Sequence, residues 1–134
     1  MNKDLILIAE DNPIVLDVIC DQIKILKYDY LNAINGKDAI SIYSQKKDNI
    51  ILIIMDWFMP GMLGEDIIKE LLNINKDVKI LISTGHDIED IKAALKIKHL
   101  DNPNIYYIQK PFAFGNLREI IRNILQEKDL VATP

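Results

Sequence analysis

Four short apolar runs in this chain each end in polar residues, and this arrangement constrains the fold more than any other feature of the sequence. The runs cover residues 5–9, 50–55, 79–82 and 105–109. They alternate with longer segments of helical periodicity, a pattern that predicts a parallel sheet with helices as the connections. Open parallel sheets have their sites just beyond the carboxyl ends of the strands, so the polar residues at these ends should meet at one edge.

The segments between these runs complete an alternating α/β pattern of five strands and five helices. Strands are predicted at residues 5–9, 30–34, 50–55, 78–82 and 105–109. Helices are predicted at 13–26 and 37–45, over the apolar residues of 67–72, after an N-cap at Asp87, and across 114–125. Residues 126–134 lose this periodicity, and we predict one domain over 1–127 and a tail or the start of a linker over 128–134.

Length, composition and charge exclude several classes of protein. The chain has 134 residues, of which 49% are hydrophobic, enough for the core of one domain. Its formal net charge of -4 argues against direct nucleic-acid binding, which depends on clustered lysine and arginine. No apolar run approaches the roughly 20 residues of a membrane span. Residues 1–4 lack the basic start of a signal peptide, so a cytoplasmic location without membrane contact is expected.

Polar residues at the strand ends form a set suited to a divalent cation and a phosphoryl group. Glu10, Asp11 and Asp56 offer hard oxygen donors, a partial shell for Mg²⁺, which also takes waters and phosphate oxygens. Asp56 is the candidate nucleophile, because a carboxylate can accept a phosphoryl group as an aspartyl phosphate. Lys110 supplies a compact positive charge for a phosphate oxygen, and Ser83 can donate a hydrogen bond to another.

The ordered set of motifs resembles the receiver domain of two-component response regulators. In chain order, the motifs are Glu10-Asp11, Asp56 followed by Met59-Pro60 and Gly64, Ser83, and Lys110-Pro111-Phe112. The resemblance implies a flavodoxin-like (βα)5 fold, with a doubly wound five-stranded parallel sheet in the order 2-1-3-4-5. It also implies phosphoryl transfer to Asp56 from a sensor histidine kinase or a phosphotransfer protein.

The same resemblance implies the metal ligands. It assigns Mg²⁺ to the carboxylates of Glu10, Asp11 and Asp56 and to the backbone carbonyl of Phe58. It further implies that the chain acts only on itself, through its own phosphorylation and dephosphorylation. An enzyme with a separate substrate is therefore not expected.

The resemblance extends to residues that would respond to phosphorylation. Lys110 resembles the family's lysine with its following proline, Ser83 its switch hydroxyl, and Tyr107 the aromatic residue of strand five that rotates inward. Thr84 stands where the family usually has alanine or glycine, and its branched side chain is expected to limit the space for Tyr107. The resemblance implies a downstream protein partner on the face formed by helix four, strand five and helix five.

Other interpretations fit parts of the pattern. A flavodoxin-like cofactor binder needs a loop rich in Gly, Ser and Thr after strand one, where Glu10 and Asp11 would repel an FMN phosphate. A magnesium-dependent nuclease or primase-type domain needs an Asp-x-Asp pair after a strand, and the sequence Asp56-Trp57-Phe58 lacks the second Asp. A degenerate receiver that acts only as a protein-interaction module is the remaining alternative.

Overall fold

The computed structural model describes residues 4–113 and 115–132, and its centre is a parallel sheet. The five strands of this sheet are β1 (Leu5–Ala9), β2 (Asp29–Ala33), β3 (Ile50–Asp56), β4 (Ile80–Thr84) and β5 (Ile105–Gln109). Numbered in this way, the strands lie in the order β2-β1-β3-β4-β5, and every neighbouring pair is parallel. The predicted fold class and strand order are therefore confirmed.

Helices cover both faces of the sheet, as a doubly wound fold requires. They are α1 (Pro13–Ile25), α2 (Gly36–Lys46), α3 (Gly64–Ile74), α4 (Ile88–Ile97) and α5 (Asn116–Ala132). Side chains alternate along a strand, so Leu52 and Ile54 of β3 enter the core under α1 and α5. Ile53 and Met55 enter the opposite core, under α2, α3 and α4. Within the described part of the chain, no helix combines the length and apolar character needed to cross a membrane.

The boundaries of β4 differ from the predicted ones because pairing with the neighbouring strands, and not hydrophobicity, decides where it begins and ends. β4 begins at Ile80 and runs past the predicted end at residue 82, because Ser83 still pairs with Asp56 and Thr84 with Gln109. The last residues of β4 are thus held by their neighbours on the sheet.

α5 continues to Ala132, beyond the predicted domain end at 127, while residue 114 of the predicted helix lies outside the described residues. The division into domain and tail stays a prediction.

Polar caps start helices close to the sheet edge that carries the candidate site. Asn12 caps α1, and its Oδ1 accepts a hydrogen bond of 2.9 Å from the N–H of Ile14. Pro13 suits the first helical position, where no backbone donor is required. Asp87 caps α4 as predicted, accepting from the N–H of Glu89 at 2.9 Å. Caps of this kind contribute about 1 kcal/mol each, and they fix the short loops after β1 and β4.

A short antiparallel hairpin follows β3. Phe58–Met59 pairs with Met62–Leu63, and Gly61 at the turn has a φ of +92°, a conformation that favours glycine. Gly64 then begins α3 against the half-buried indole of Trp57. A Cβ at Gly64 would lie 2.6 Å from Cε3 of Trp57, so only glycine allows this close approach.

Candidate functional site

Three carboxylates meet at the carboxyl edge of the sheet. Glu10 and Asp11 follow β1, and Asp56 is the last residue of the adjacent strand β3. One oxygen of each residue lies within 4.8 Å of the others. Glu10 is buried, Asp56 is half-buried and Asp11 is exposed, so the cluster opens to solvent on the side of Asp11. The structure thus brings together the carboxylates that the sequence predicted to converge.

Lys110 directly follows β5, and its side chain extends past β4 to the acidic cluster. Its Nζ lies 3.2 Å from Oδ1 of Asp56 and 3.3 Å from Oε1 of Glu10. The N–H of Lys110 donates to the carbonyl oxygen of Thr84 at 2.7 Å, which fixes the backbone just after β5. All the charged side chains in these pairs are mostly buried, so salt screens them less than it screens surface ion pairs. Lys110 therefore compensates two carboxylates at once.

The carboxyl group of Glu10 lies in an unfavourable environment. Burial has the largest effect and raises the pKa of Glu10, and the charge of Asp56 raises it further. The hydrogen bond from the N–H of Asn12 and the charge of Lys110 lower the pKa, but the net shift is upward. Oε1 accepts no hydrogen bond from the described residues, and Nζ of Lys110 lies 3.3 Å from it as an ion-pair partner. A buried carboxylate oxygen without a hydrogen bond is costly. A hard cation bound among these carboxylates would offset that cost, so the donor set fits Mg²⁺.

Ser83 provides a second polar atom that lacks a partner within the described ranges. The residue is fully buried, and its Oγ makes no hydrogen bond there. Ser83 lies beside Asp56 on the neighbouring strand, and its carbonyl oxygen accepts from the N–H of Trp57 at 3.0 Å. A serine hydroxyl carries one O–H donor. The hydroxyl of Ser83 could therefore donate to an anionic oxygen of a group bound at Asp56.

Tyr107 lies on β5, one strand farther from the acidic cluster than β4. Its ring is half-buried, and Nζ of Lys92 lies 5.3 Å from the ring centroid. Burial raises the pKa of the phenol, and the carboxylates of Asp101 and Glu89 raise it further. Rotation of this ring on phosphorylation stays a prediction.

Thr84 uses its hydroxyl in the turn after β4. The side chain is buried, and Oγ1 accepts from the N–H of the exposed residue His86 at 2.9 Å. The amide of Gln109 reaches the same turn, since Nε2 lies 3.1 Å from the carbonyl oxygen of Thr84 and 3.0 Å from that of His86. Sequence reasoning missed Gln109. The available signal was a polar residue ending an apolar run directly before Lys110.

Phe58 contacts the site through its backbone and the turn after β4 through its ring. Its N–H lies 3.3 Å from Oδ1 of Asp56, to which it donates a hydrogen bond. Its exposed ring lies 4.4 Å from the imidazole of His86, centroid to centroid, at 48°. The role of its backbone carbonyl as a metal ligand stays a prediction.

Comparisons with known proteins agree with this arrangement. Residues 6–122 match the family described as response regulator receiver domain. The probable transcriptional regulator ycf27 of Porphyridium aerugineum is 30% identical over 130 residues, which cover 96% of this chain and 51% of that protein. This chain spans about half the length of this relative and of the ycf27 proteins of Pyropia yezoensis and Galdieria sulphuraria.

Solved structures share the fold. A response regulator receiver domain protein from Clostridium thermocellum aligns with a TM-score of 0.77 at 26% identity, covering 96% of this chain and 98% of that one. A co-crystal structure contains the Saccharomyces cerevisiae histidine phosphotransfer signaling protein Ypd1 and the receiver domain of its downstream response regulator Ssk1. The matching chain there has a TM-score of 0.77 at 23% identity, over 95% of this chain and 92% of that one. At this identity the second likeness supports the fold alone.

Proposed function

This chain belongs to the response regulator receiver domain family, and from that membership we propose that Asp56 accepts a phosphoryl group from the phosphohistidine of a sensor histidine kinase or a phosphotransfer protein. The observation that carries the proposal is the position of Lys110, whose Nζ lies 3.2 Å from Oδ1 of Asp56. Lys110 also contacts Glu10, but Glu10 is buried whereas Asp56 is half-buried. Of these two carboxylates, Asp56 is therefore the one that an incoming phosphoryl group can reach.

The proposed metal is Mg²⁺, held by the carboxylates of Glu10, Asp11 and Asp56 and by the backbone carbonyl of Phe58. Support comes from the carboxylate oxygens, which lie within 4.8 Å of one another, and from Oε1 of Glu10, which accepts no hydrogen bond from the described residues. Hard oxygen donors are the ligands that Mg²⁺ prefers. When bound, Mg²⁺ would neutralise negative charge on the transferred phosphoryl group.

The proposed transfer is a nucleophilic displacement at phosphorus. An oxygen of Asp56 forms a P–O bond while the P–N bond of the phosphohistidine breaks; its electron pair stays on the imidazole nitrogen, which takes a proton from solvent. Lys110 would exchange its contact with the carboxylate for one with a phosphoryl oxygen. Ser83 would donate its hydroxyl hydrogen to another oxygen. Both side chains contribute by orienting the group and by stabilising its charge.

In this function the chain is a phosphoacceptor in the cytoplasm and acts on no separate substrate. A degenerate receiver would lack part of the set of carboxylates, hydroxyl and lysine. Here Glu10, Asp11 and Asp56 converge, and Lys110 contacts the cluster. The interaction-module alternative is therefore not supported.

A downstream protein partner is proposed on the face formed by α4, β5 and α5. An open groove of about 710 Å³ lies on this face, and Ile88, Tyr107 and Ile120 are among its lining residues. Tyr107 links the groove to β5, which also leads into Lys110. A change at Asp56 would then reach the partner through this strand. No direct nucleic-acid contact is proposed, because the net charge is -4.

Intact-mass measurement after treatment with acetyl phosphate and Mg²⁺ tests the proposal. Wild-type protein should gain the mass of one phosphoryl group, and Asp56→Asn should gain none. Asp66→Asn, which changes an exposed carboxylate on α3, serves as the matched control and should react like wild type. An adduct of wild-type yield in Asp56→Asn would contradict the assignment.

A further inference from the structure

We propose that Gln109 is a positioning residue for phosphoryl transfer, because its side-chain amide clamps the turn after β4 and so holds Ser83 and Lys110 in a fixed relative position. This inference rests on the proposed function of Asp56. Gln109 is not one of the carboxylates, the hydroxyl or the lysine proposed to contact the metal or the phosphoryl group.

The clamp consists of hydrogen bonds that converge on backbone carbonyls. Nε2 of Gln109 donates to the carbonyl oxygen of Thr84 at 3.1 Å and to that of His86 at 3.0 Å. The carbonyl oxygen of Thr84 also accepts from the N–H of Lys110 at 2.7 Å. A carbonyl oxygen has two lone pairs, so it can accept both hydrogen bonds. The ends of β4 and β5 are thereby joined at one atom by both a backbone and a side-chain donor.

The turn needs such a clamp because Gly85 lies within it. A Cβ at Gly85 would meet no atom within 4 Å, so packing around this position does not hold the backbone. Glycine also has the widest choice of backbone conformations. Besides the clamp, the contacts of the turn include the hydrogen bond from the N–H of His86 to Oγ1 of Thr84, the ring contact of His86 with Phe58, and the cap that Asp87 provides to α4. Gln109 adds the connection to β5.

The clamped residues are direct neighbours of the groups proposed to contact the phosphoryl oxygens. Ser83 precedes Thr84, and Lys110 follows Gln109. The hydroxyl of Ser83 has no hydrogen bond from the described residues, so its position depends on the backbone that carries it. Misplacement of a reacting or orienting group by about 1 Å can cost up to about 100-fold in rate. Loosening the turn should therefore slow the reaction at Asp56.

The hydrogen bonds of the clamp do not involve the proposed metal ligands. Glu10 and Asp11 follow β1, on the other side of β3 from the clamp. The clamp's acceptors are the carbonyl oxygens of Thr84 and His86, and Phe58 contacts the turn through its side-chain ring. Loss of the clamp should consequently leave Mg²⁺ affinity in place while lowering the rate of phosphorylation. A merely structural role for Gln109 would lower both together.

The test uses Gln109→Met, which keeps the approximate size of the side chain and removes its donors without adding charge. Gln45→Met, on the exposed surface of α2, is the matched control. Calorimetric titration gives the Mg²⁺ Kd, and intact mass gives the rate of phosphorylation by acetyl phosphate at saturating Mg²⁺. For Gln109→Met we expect a Kd within about twofold of wild type and a rate about tenfold lower, since side-chain hydrogen bonds and positioning of this kind have effects of that order. Gln45→Met should match wild type in both.

The outcomes separate the inference from the proposed function. A phosphorylated wild type together with an unchanged rate in Gln109→Met would overturn the positioning role and leave the phosphoacceptor assignment standing. A parallel loss of Mg²⁺ affinity and rate would also overturn it, because Gln109 would then only maintain the fold. A wild type that takes no phosphoryl group, although it binds Mg²⁺, would overturn both proposals.

Discussion

Replacing Glu10 by glutamine should stabilise the metal-free protein. The substitution keeps the shape of the side chain and removes its charge. In the native protein, burial raises the pKa of Glu10 and the charge of Asp56 adds to this effect, so the neutral form is favoured relative to the unfolded chain. Glutamine resembles that neutral form, and its carbonyl oxygen can still accept the hydrogen bond from the N–H of Asn12.

Opposing terms set the size of the effect. A buried polar or charged group that is incompletely paired costs roughly 1–3 kcal/mol in protein variants. The ion pair with Lys110, at 3.3 Å, offsets part of that cost. We therefore expect metal-free Glu10→Gln to be more stable than wild type by about 1 kcal/mol.

Mg²⁺ should reverse this order. At a free Mg²⁺ concentration of about 100 times the wild-type Kd, binding stabilises the wild type by about 2.7 kcal/mol. A variant with about 30-fold weaker affinity, having lost one of its carboxylates, would gain only about 0.9 kcal/mol under the same conditions. Wild type should then be the more stable protein. Such a reversal is expected for a site that lowers the stability of the metal-free protein but allows it to bind a metal ion.

The pH dependence follows from the direction of the pKa shift. Because the native pKa of Glu10 lies above its ordinary value of 4.5, the native state takes up this proton before the unfolded state does as pH falls. The free energy of unfolding of the metal-free wild type should therefore rise as pH is lowered from above the native pKa of Glu10 towards 4.5. Glu10→Gln lacks this proton, so its stability advantage should shrink as pH approaches 4.5.

Urea denaturation followed by circular dichroism, with EDTA or with Mg²⁺, measures these differences. Glu70→Gln, on the exposed surface of α3, removes one negative charge elsewhere and is the matched control. It should show no reversal. A metal-free Glu10→Gln less stable than wild type would mean that the ion pair with Lys110 outweighs the cost of burial, and the case for a cation at Oε1 would fail.

Three further variants test other parts of the account. Asp11→Asn should weaken Mg²⁺ binding at least about tenfold, because the site loses one of its charged oxygen donors; an unchanged calorimetric Kd would make Asp11 a surface residue only. Ser83→Ala should still bind Mg²⁺ but reduce the NMR shift changes at Tyr107 on addition of beryllofluoride, and full wild-type changes would exclude Ser83 as the link. Gly64→Ala should lower the free energy of unfolding by roughly 1–3 kcal/mol, since its Cβ would lie 2.6 Å from the indole of Trp57; a urea midpoint equal to that of wild type would show that this contact adjusts freely.

The sequence predicted the strand-end residues because parallel strands bring their carboxyl ends to one edge. Glu10 and Asp56 each follow or end an apolar run, and adjacent strands then place them together. The same geometry brought Lys110 within 3.3 Å of both carboxylates. Strand order itself required the family resemblance, since hydrophobic runs do not state which strands are neighbours.

Side-chain hydrogen bonds in the turn after β4 could not be predicted in the same way. They depend on the path of a turn containing Gly85, which no periodic pattern describes. Thr84 was expected to limit the movement of Tyr107, but its hydroxyl is bonded to the N–H of His86, and its ladder partner is Gln109. Whether Thr84 limits Tyr107 stays a prediction. The end of β4 was placed too early because Ser83 and Thr84 are polar, although pairing with two strands keeps them in the sheet.

Chemical mapping of the phosphorylated residue tests the central claim most directly. Borohydride reduces an aspartyl phosphate to homoserine, which peptide mass spectrometry locates in the sequence. After treatment of the full chain with acetyl phosphate and Mg²⁺, homoserine should occur at position 56 and should be absent when Mg²⁺ is replaced by EDTA. Reduction products at Asp11 in place of Asp56, or none at any carboxylate of the Mg²⁺-treated chain, would contradict the account.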